Sequence, residues 1–169
     1  MEIVFGRGKK ILSYVIAYFE GFPVSHCALR YSEDEGRWLV QAVESGVTPD
    51  WWQYWIQRYT NILRFKAKFD CADQALDNTV NQIGDTSYNF LALLGFAIKK
   101  ILATIGIQIK NPLGLKNTYM CSEAVCIFLV ECNKLNPALK FIEFDSNDTD
   151  PIILINYFRS LPELFEEID

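Results

Sequence analysis

The sequence predicts a single α+β domain in which a small antiparallel sheet packs with helices. Three observations carry this. Apolar residues recur at helical spacing over 9–20, 71–83 and 119–134. Two extended runs flank the turn Glu33-Asp34-Glu35-Gly36. Apolar and polar residues alternate over 62–69. The chain has 169 residues, half of them apolar and 14% aromatic, which is enough for one core without covalent staples.

The elements follow in order. Residues 2–5 are a short apolar run, after which Gly6-Arg7-Gly8 is expected to turn the chain. From Lys9 to Glu20 a helical face is marked by Ile11, Leu12, Val15, Ile16 and Phe19, and Gly21 is suited to end it. Pro23 introduces a strand from Val24 to Tyr31, and Arg37 to Val43 returns beside it, so residues 24–43 make an antiparallel hairpin. Thr48-Pro49-Asp50 has the composition of a helix start, with Thr48 capping and Pro49 in the first helical position. That helix would carry Trp51, Trp52, Trp55 and Ile56 and anchor them on the sheet.

Asn61 to Lys68 reads as a third strand with Leu63, Phe65, Ala67 and Phe69 on one face. Residues 71–83 return to helix. An apolar helical insertion near 88–110 follows, ended by Asn111-Pro112-Leu113-Gly114. The helix from Tyr119 to Lys134 has Thr118 as candidate cap. Phe141 to Phe144 looks strand-like, Asp150-Pro151 opens a last helix over Ile152–Phe158, and Glu163 to Asp169 reads as a charged helix end.

Composition narrows the function classes. The net charge is -5, and Lys9-Lys10 and Lys99-Lys100 are isolated pairs, so no basic stripe exists for nucleic acid. The single histidine leaves a zinc site short of ligands, and no metal or other cofactor is expected. The loop Asp145-Ser146-Asn147-Asp148-Thr149-Asp150 lacks the Gly and Glu that an EF-hand needs at its sixth and twelfth positions, which Asp150 and Asn156 occupy. Five cysteines, an odd number, without CxxC and behind an acidic Met1-Glu2-Ile3, suggest reduced thiols in a cytoplasmic protein without a signal peptide. The run 90–109 is interrupted by Gly95, Lys99-Lys100 and Gly106, which is unlike a spanning helix, although peripheral contact with a membrane surface stays open.

The informative thiol is Cys121, in Tyr119-Met120-Cys121-Ser122-Glu123. It falls in the first turn of an expected helix, where unpaired N–H groups and the helix dipole favour a thiolate and can hold an oxyanion. Cys121, Val125, Phe128 and Cys132 form one stripe, with Glu123 and Glu131 toward the other side. A buried cysteine is more often a small hydrophobe, the natural reading of Cys126 and Cys132. Cys121 differs because a base is available. His26, the only histidine, stands mid-strand in Ser25-His26-Cys27-Ala28-Leu29. Cys27 is adjacent but points to the opposite face, so it is not expected to share the site of His26. Orienting the imidazole needs a third polar group. The returning strand supplies Gln41, with Glu44 as competitor, and a one-residue register decides between them.

These three segments, in this order, resemble the permuted papain-like amidases, the YiiX-like branch of the permuted NlpC-type hydrolases. The resemblance runs from Ser25 to about Asn156 and includes Asp150-Pro151 as a Pro-marked helix after the cysteine motif. It implies a permuted papain-like (NlpC-type) fold with Cys121 as nucleophile and His26 as base. Gln41 takes the third polar position, where the family commonly has Glu; an amide orients an imidazole but cannot balance its positive charge. A Tyr near the family's active site gives Tyr88 a substrate-binding role, and Tyr119 is a second candidate.

The expected function is therefore a cysteine-dependent amidase, peptidase or esterase acting through an acyl-enzyme. Its substrate would be a peptide, an acyl-amide or a lipid-like ester. Transfer to an amine or hydroxyl, and a non-catalytic binding module of the same fold, are the alternatives.

Overall fold

The computed structural model of the chain describes residues 1–20, 22–31, 37–43, 46–84, 87–88, 102–103, 106–107, 109, 118–119, 121–145 and 148–169. It has the expected α+β composition. The strands are β1 (Glu2–Gly8), β2 (His26–Arg30), β3 (Trp38–Val43), β4 (Gly46–Trp51), β5 (Tyr59–Ala67), β6 (Ser87–Tyr88), β7 (Thr118–Tyr119) and β8 (Phe165–Ile168). Six of them form one sheet in the order β4-β3-β2-β1-β5-β8, with every pair antiparallel. β6 and β7 form a short parallel pair apart from it. The helices are α1 (Ile11–Glu20), α2 (Trp52–Arg58), α3 (Ala72–Ile83), α4 (Cys121–Leu135) and α5 (Pro151–Arg159).

Gly6-Arg7-Gly8 does not turn the chain. β1 continues through it, and its pairing with β5 shifts register between Phe5 and Arg7. The glycines serve the bulge and what lies over it. A Cβ on Gly6 would stand 2.9 Å from the Trp55 ring and 3.0 Å from Cβ of Tyr59. Gly6 thus lets two aromatic side chains lie directly on the backbone.

The hairpin forms as read, with Leu29 opposite Val40 and Arg30 opposite Leu39. Thr48-Pro49-Asp50, however, is strand rather than helix start. These residues lie in β4 opposite Gln41, Val40 and Leu39 respectively, and α2 begins at Trp52. β4 is a sheet edge, which tolerates a proline because an edge strand leaves one side of its ladder unpaired. Trp51 belongs to β4 and its ring lies against Trp38, at 4.0 Å between centroids.

Strand alternation sorts the core into two faces. Ile3, Phe5, Cys27, Leu29 and Phe65 pack with α3, α4 and α5 through Leu76, Val125, Phe128, Leu129, Leu154 and Phe158. Val4, Ala28 and Leu39 pack on the other face against Trp55 of α2. Beside this second cluster, Glu2 accepts hydrogen bonds from Arg30 Nη1 at 2.7 Å and Arg64 Nε at 3.1 Å, and the Arg30 guanidinium lies 4.4 Å from the Trp52 ring centre. Burial pushes the Glu2 carboxyl up, but hydrogen bonds from Arg64 and Arg30 outweigh it and hold it below its ordinary value. A carboxyl so lowered stabilises the fold at every pH above its unfolded value, and that contribution is lost as pH falls through the lower folded value. Glu2→Gln should cost about 2 kcal/mol in urea unfolding near pH 7, and the gap should narrow near pH 3. A gap that does not change with pH would remove the ion pairs as its cause.

The C-terminal third departs from the expectation in two places. Phe141 to Phe144 forms no strand. Asn133 bonds both the N–H of Phe141, at 2.8 Å, and its carbonyl, at 2.7 Å, and the Tyr157 hydroxyl takes the N–H of Ile142. The acidic end is the strand β8, not a helix end: Phe165 is buried, Glu166 and Glu167 lie opposite Lys66 and Phe65, and Arg159 holds Glu167 by two hydrogen bonds. Asp150 caps α5 by accepting from the N–H of Ile153, with Pro151 in the first turn.

The Gly21 helix end, the turn at 33–36, Glu44 and most of the apolar insertion near 88–110 lie outside the described residues. Among the described residues no helix is long and apolar enough to cross a membrane.

Candidate active site

α4 starts at Cys121, two residues later than expected. Thr118 does not cap it, because it lies in β7 opposite Ser87. The stripe of Cys121, Val125, Phe128 and Cys132 is buried, as its spacing requires. So are Glu123 and Glu131, 5% and 7% exposed, which makes α4 a helix enclosed on more than its apolar stripe. Glu131 is satisfied there by Lys134 Nζ at 2.5 Å and Asn78 Nδ2 at 3.4 Å.

Cys121 is 7% exposed. A hydrogen bond from the Cys27 side chain holds its thiol well below the ordinary cysteine value. Burial opposes this, and the charge and hydrogen bond of His26 add to it, as does the Cys27 backbone N–H. Cys27 therefore meets the same thiol as His26, contrary to the expectation. Alternation does put the two on opposite faces, and Cys27 lies on the face that α4 covers. But His26 is the first residue of β2, and its side chain hydrogen-bonds the Cys121 thiol at the start of α4. The other thiols behave differently. Burial pushes Cys126 up to about 12 and also raises Cys132 and Cys71. All five cysteines are free thiols.

Behind His26 stands Gln41. Continuing the register from Leu29–Val40 puts Gln41 opposite Ala28, diagonal to His26 on the same face. Its Oε1 lies 3.0 Å from His26 Nε2 and also receives the Trp55 indole N–H at 3.1 Å and the Tyr59 hydroxyl at 3.4 Å. Its Nε2 donates to Asp50 Oδ2 at 2.8 Å. An indole N–H only donates and a carboxylate only accepts, so these two partners fix which end of the amide faces the ring. The imidazole meets an oxygen and must present N–H at Nε2. Nδ1 then carries the lone pair that can take a proton.

The rings are stacked in series. Tyr59 lies 5.1 Å from His26, and Trp55 4.2 Å from Tyr59, each pair at an interplanar angle of 16°. Burial pushes the Tyr59 phenol up to about 12, so it stays a donor to Gln41. Ser25, next to the imidazole in sequence, has a buried hydroxyl with no hydrogen-bond partner among the described residues.

The structure thus brings Cys121, His26 and Gln41 into one constellation. Glu44 lies outside the described residues. Tyr88 and Tyr119 pair through their backbones in β6 and β7, just ahead of Cys121, while their side chains lie outside the described residues. Sequence reasoning set Cys27 aside, missed Asp50 and Tyr59, and favoured for Trp55 an anchor on the sheet over the lining of a substrate groove. The one available signal was the need of a buried indole N–H for an acceptor. Among the described residues no group of three His, Cys, Asp or Glu is placed to hold a metal ion. In comparisons with known proteins, no family model matches this chain and no curated protein matches it.

Proposed function

We propose that the protein is a cysteine hydrolase of permuted papain-like architecture, acting on an amide or ester through an acyl-enzyme on Cys121. The observation that carries this is the orientation of His26. Its Nε2 is committed to Gln41, which leaves Nδ1 to accept the proton of a thiol already held toward its ionised form. The chain order, histidine strand before cysteine helix, is what the permuted fold requires.

In this scheme the Cys121 proton passes to Nδ1 and the thiolate sulfur attacks the substrate carbonyl carbon. Unpaired N–H groups in the first turn of α4 hold the oxyanion. The C–N or C–O bond breaks, and the leaving amine or alcohol takes the proton from His26. Water then attacks the thioester, gives a proton to His26, and releases the carboxylic acid as the C–S bond breaks. Gln41 supplies no negative charge, so the imidazolium is steadied by the thiolate and by its own Nε2–H bond to the amide oxygen, which Trp55 and Tyr59 hold in place. An amine or hydroxyl in place of water makes the same site a transferase. Tyr88 and Tyr119, just before the nucleophile helix, are the proposed substrate contacts. Peptides, acyl-amides and lipid-like esters are the substrate class.

Iodoacetamide tests the thiol chemistry without a known substrate. Near pH 6 the full-length protein should be alkylated first at Cys121, read by peptide mass spectrometry, while Cys126 and Cys132 remain unmodified until denaturation. Equal labelling of the thiols, or labelling of the more exposed Cys71 first, would sink the catalytic assignment.

A further inference from the structure

We propose that Asp50 is a positioning residue for the Cys121–His26 pair, acting through the Gln41 amide. This rests on the thiol chemistry just described. The Asp50 carboxylate is held from three sides: Gln41 Nε2 at 2.8 Å, the Trp51 N–H at 2.8 Å, and the Arg58 guanidinium. Its side chain is 15% exposed, against 55% for Arg58. Arg58 balances the charge of Asp50 from the solvent side, so what the carboxylate contributes toward Gln41 is an acceptor in a fixed place.

That acceptor matters because an amide has two unlike ends. With Asp50 present, the Gln41 NH2 group has a partner on the far side and the oxygen must face His26. Without it, the NH2 group loses its partner and the amide can turn. An NH2 facing the ring demands a lone pair on Nε2 and moves the ring proton to Nδ1, the nitrogen needed to accept from the thiol. Trp55 opposes the turn with its indole N–H, whereas the Tyr59 hydroxyl can rotate to meet either end of the amide. A carboxylate at position 41 would need no such control, since both its ends accept. It would also stand against Asp50 as a like charge. Gln41 and Asp50 are therefore a matched pair that does the work of one acidic side chain.

Among the described residues, titratable and charged groups near the pair include Cys27 on β2, Asp50 on β4, Arg58 at the end of α2 and Tyr59 at the start of β5, and Glu123, farther along α4, acts on Cys126. Of these only Asp50 changes in the substitutions below, and the double variant moves its charge to position 41.

The pH profile of iodoacetamide alkylation at Cys121, in the full-length protein, tests the assignment. Asp50→Ala should raise the midpoint of the profile by about one unit, which makes labelling about tenfold slower below it. The double variant Gln41→Glu with Asp50→Asn should return the midpoint to the wild-type range. A carboxylate at position 41 faces His26 with oxygen whichever way it turns, and an amide at position 50 can donate to it. A merely structural Asp50 would lower the melting temperature of both variants and leave both midpoints unmoved, which overturns the proposal. If Asp50→Ala does not fold, Asp50→Asn decides alone, because its amide keeps the shape of the side chain but no longer fixes which end of the Gln41 amide it meets: a raised midpoint supports the assignment and an unmoved one overturns it. A wild-type protein without low-pH reactivity at Cys121 instead overturns the thiol chemistry, and the role of Asp50 with it.

Discussion

His26→Ala should slow alkylation of Cys121 near pH 6 by about 10²-fold or more, the largest effect expected of any single substitution that leaves the thiol in place. The sign follows from what acts on Cys121. The Cys27 hydrogen bond and the charge and hydrogen bond of His26 favour thiolate, and burial opposes it. Removing the imidazole withdraws two of the favourable contributions and leaves burial in place. The rate should then rise only as pH approaches the ordinary thiol range, so wild type and variant converge in alkaline solution. Hydrolysis of an activated ester should fall further than alkylation, because turnover also needs a proton for the leaving group. A profile unchanged in His26→Ala would mean that Cys27 and the helix start suffice, and that His26 is a stacked core residue.

How much of this was legible in the sequence depends on the distance over which each signal acts. Cys121 at a helix start and His26 in a strand are read from periods of 3.6 and 2, which need only near neighbours. The approach of Gln41 follows from the hairpin around 33–36, also local. Asp50 was hidden because Thr48-Pro49-Asp50 satisfies the rules for a helix N-terminus and a sheet edge alike; pairing with β3, a tertiary contact, decides for the strand. The helix that follows starts at Trp52 without a side-chain cap, so the local signal had the right helix and the wrong first residue. Cys27 was misplaced by applying alternation to a residue pair at the very end of a strand. The acidic end was misread because β8 exists only through its pairing with β5, about 100 residues away in the chain.

Gly6 shows the reverse case, a local reading overturned by the site itself. Gly-Arg-Gly reads as a turn when only the backbone is considered. In the fold its missing side chain makes room for Trp55 and Tyr59, the two rings that, with His26, surround the Gln41 oxygen. The bulge in β1 is therefore part of what positions the base.

Trp55 is where stability and site geometry meet, and Trp55→Ala should cost about 3–5 kcal/mol. The side chain is fully buried, forms the centre of the second core cluster, stacks on Tyr59 and closes over Gly6. Loss of this size should lower the melting temperature by roughly 10 °C for a chain of this length. Trp55→Phe separates packing from hydrogen bonding. It keeps a ring between Trp52 and Tyr59 but removes the N–H that reaches Gln41 at 3.1 Å. If the indole only fills space, Trp55→Phe should keep the Cys121 alkylation profile of the wild type at a modestly lower melting temperature. If it also latches the amide, the profile should move to higher pH in Trp55→Phe, in the same direction as in Asp50→Ala, because both substitutions release the same Gln41 side chain from opposite ends. The second outcome is expected, since an amide oxygen shared by three donors is set by all of them and the indole is the one whose role cannot be reversed, either by a change of tautomer as in His26 or by rotation of a hydroxyl as in Tyr59.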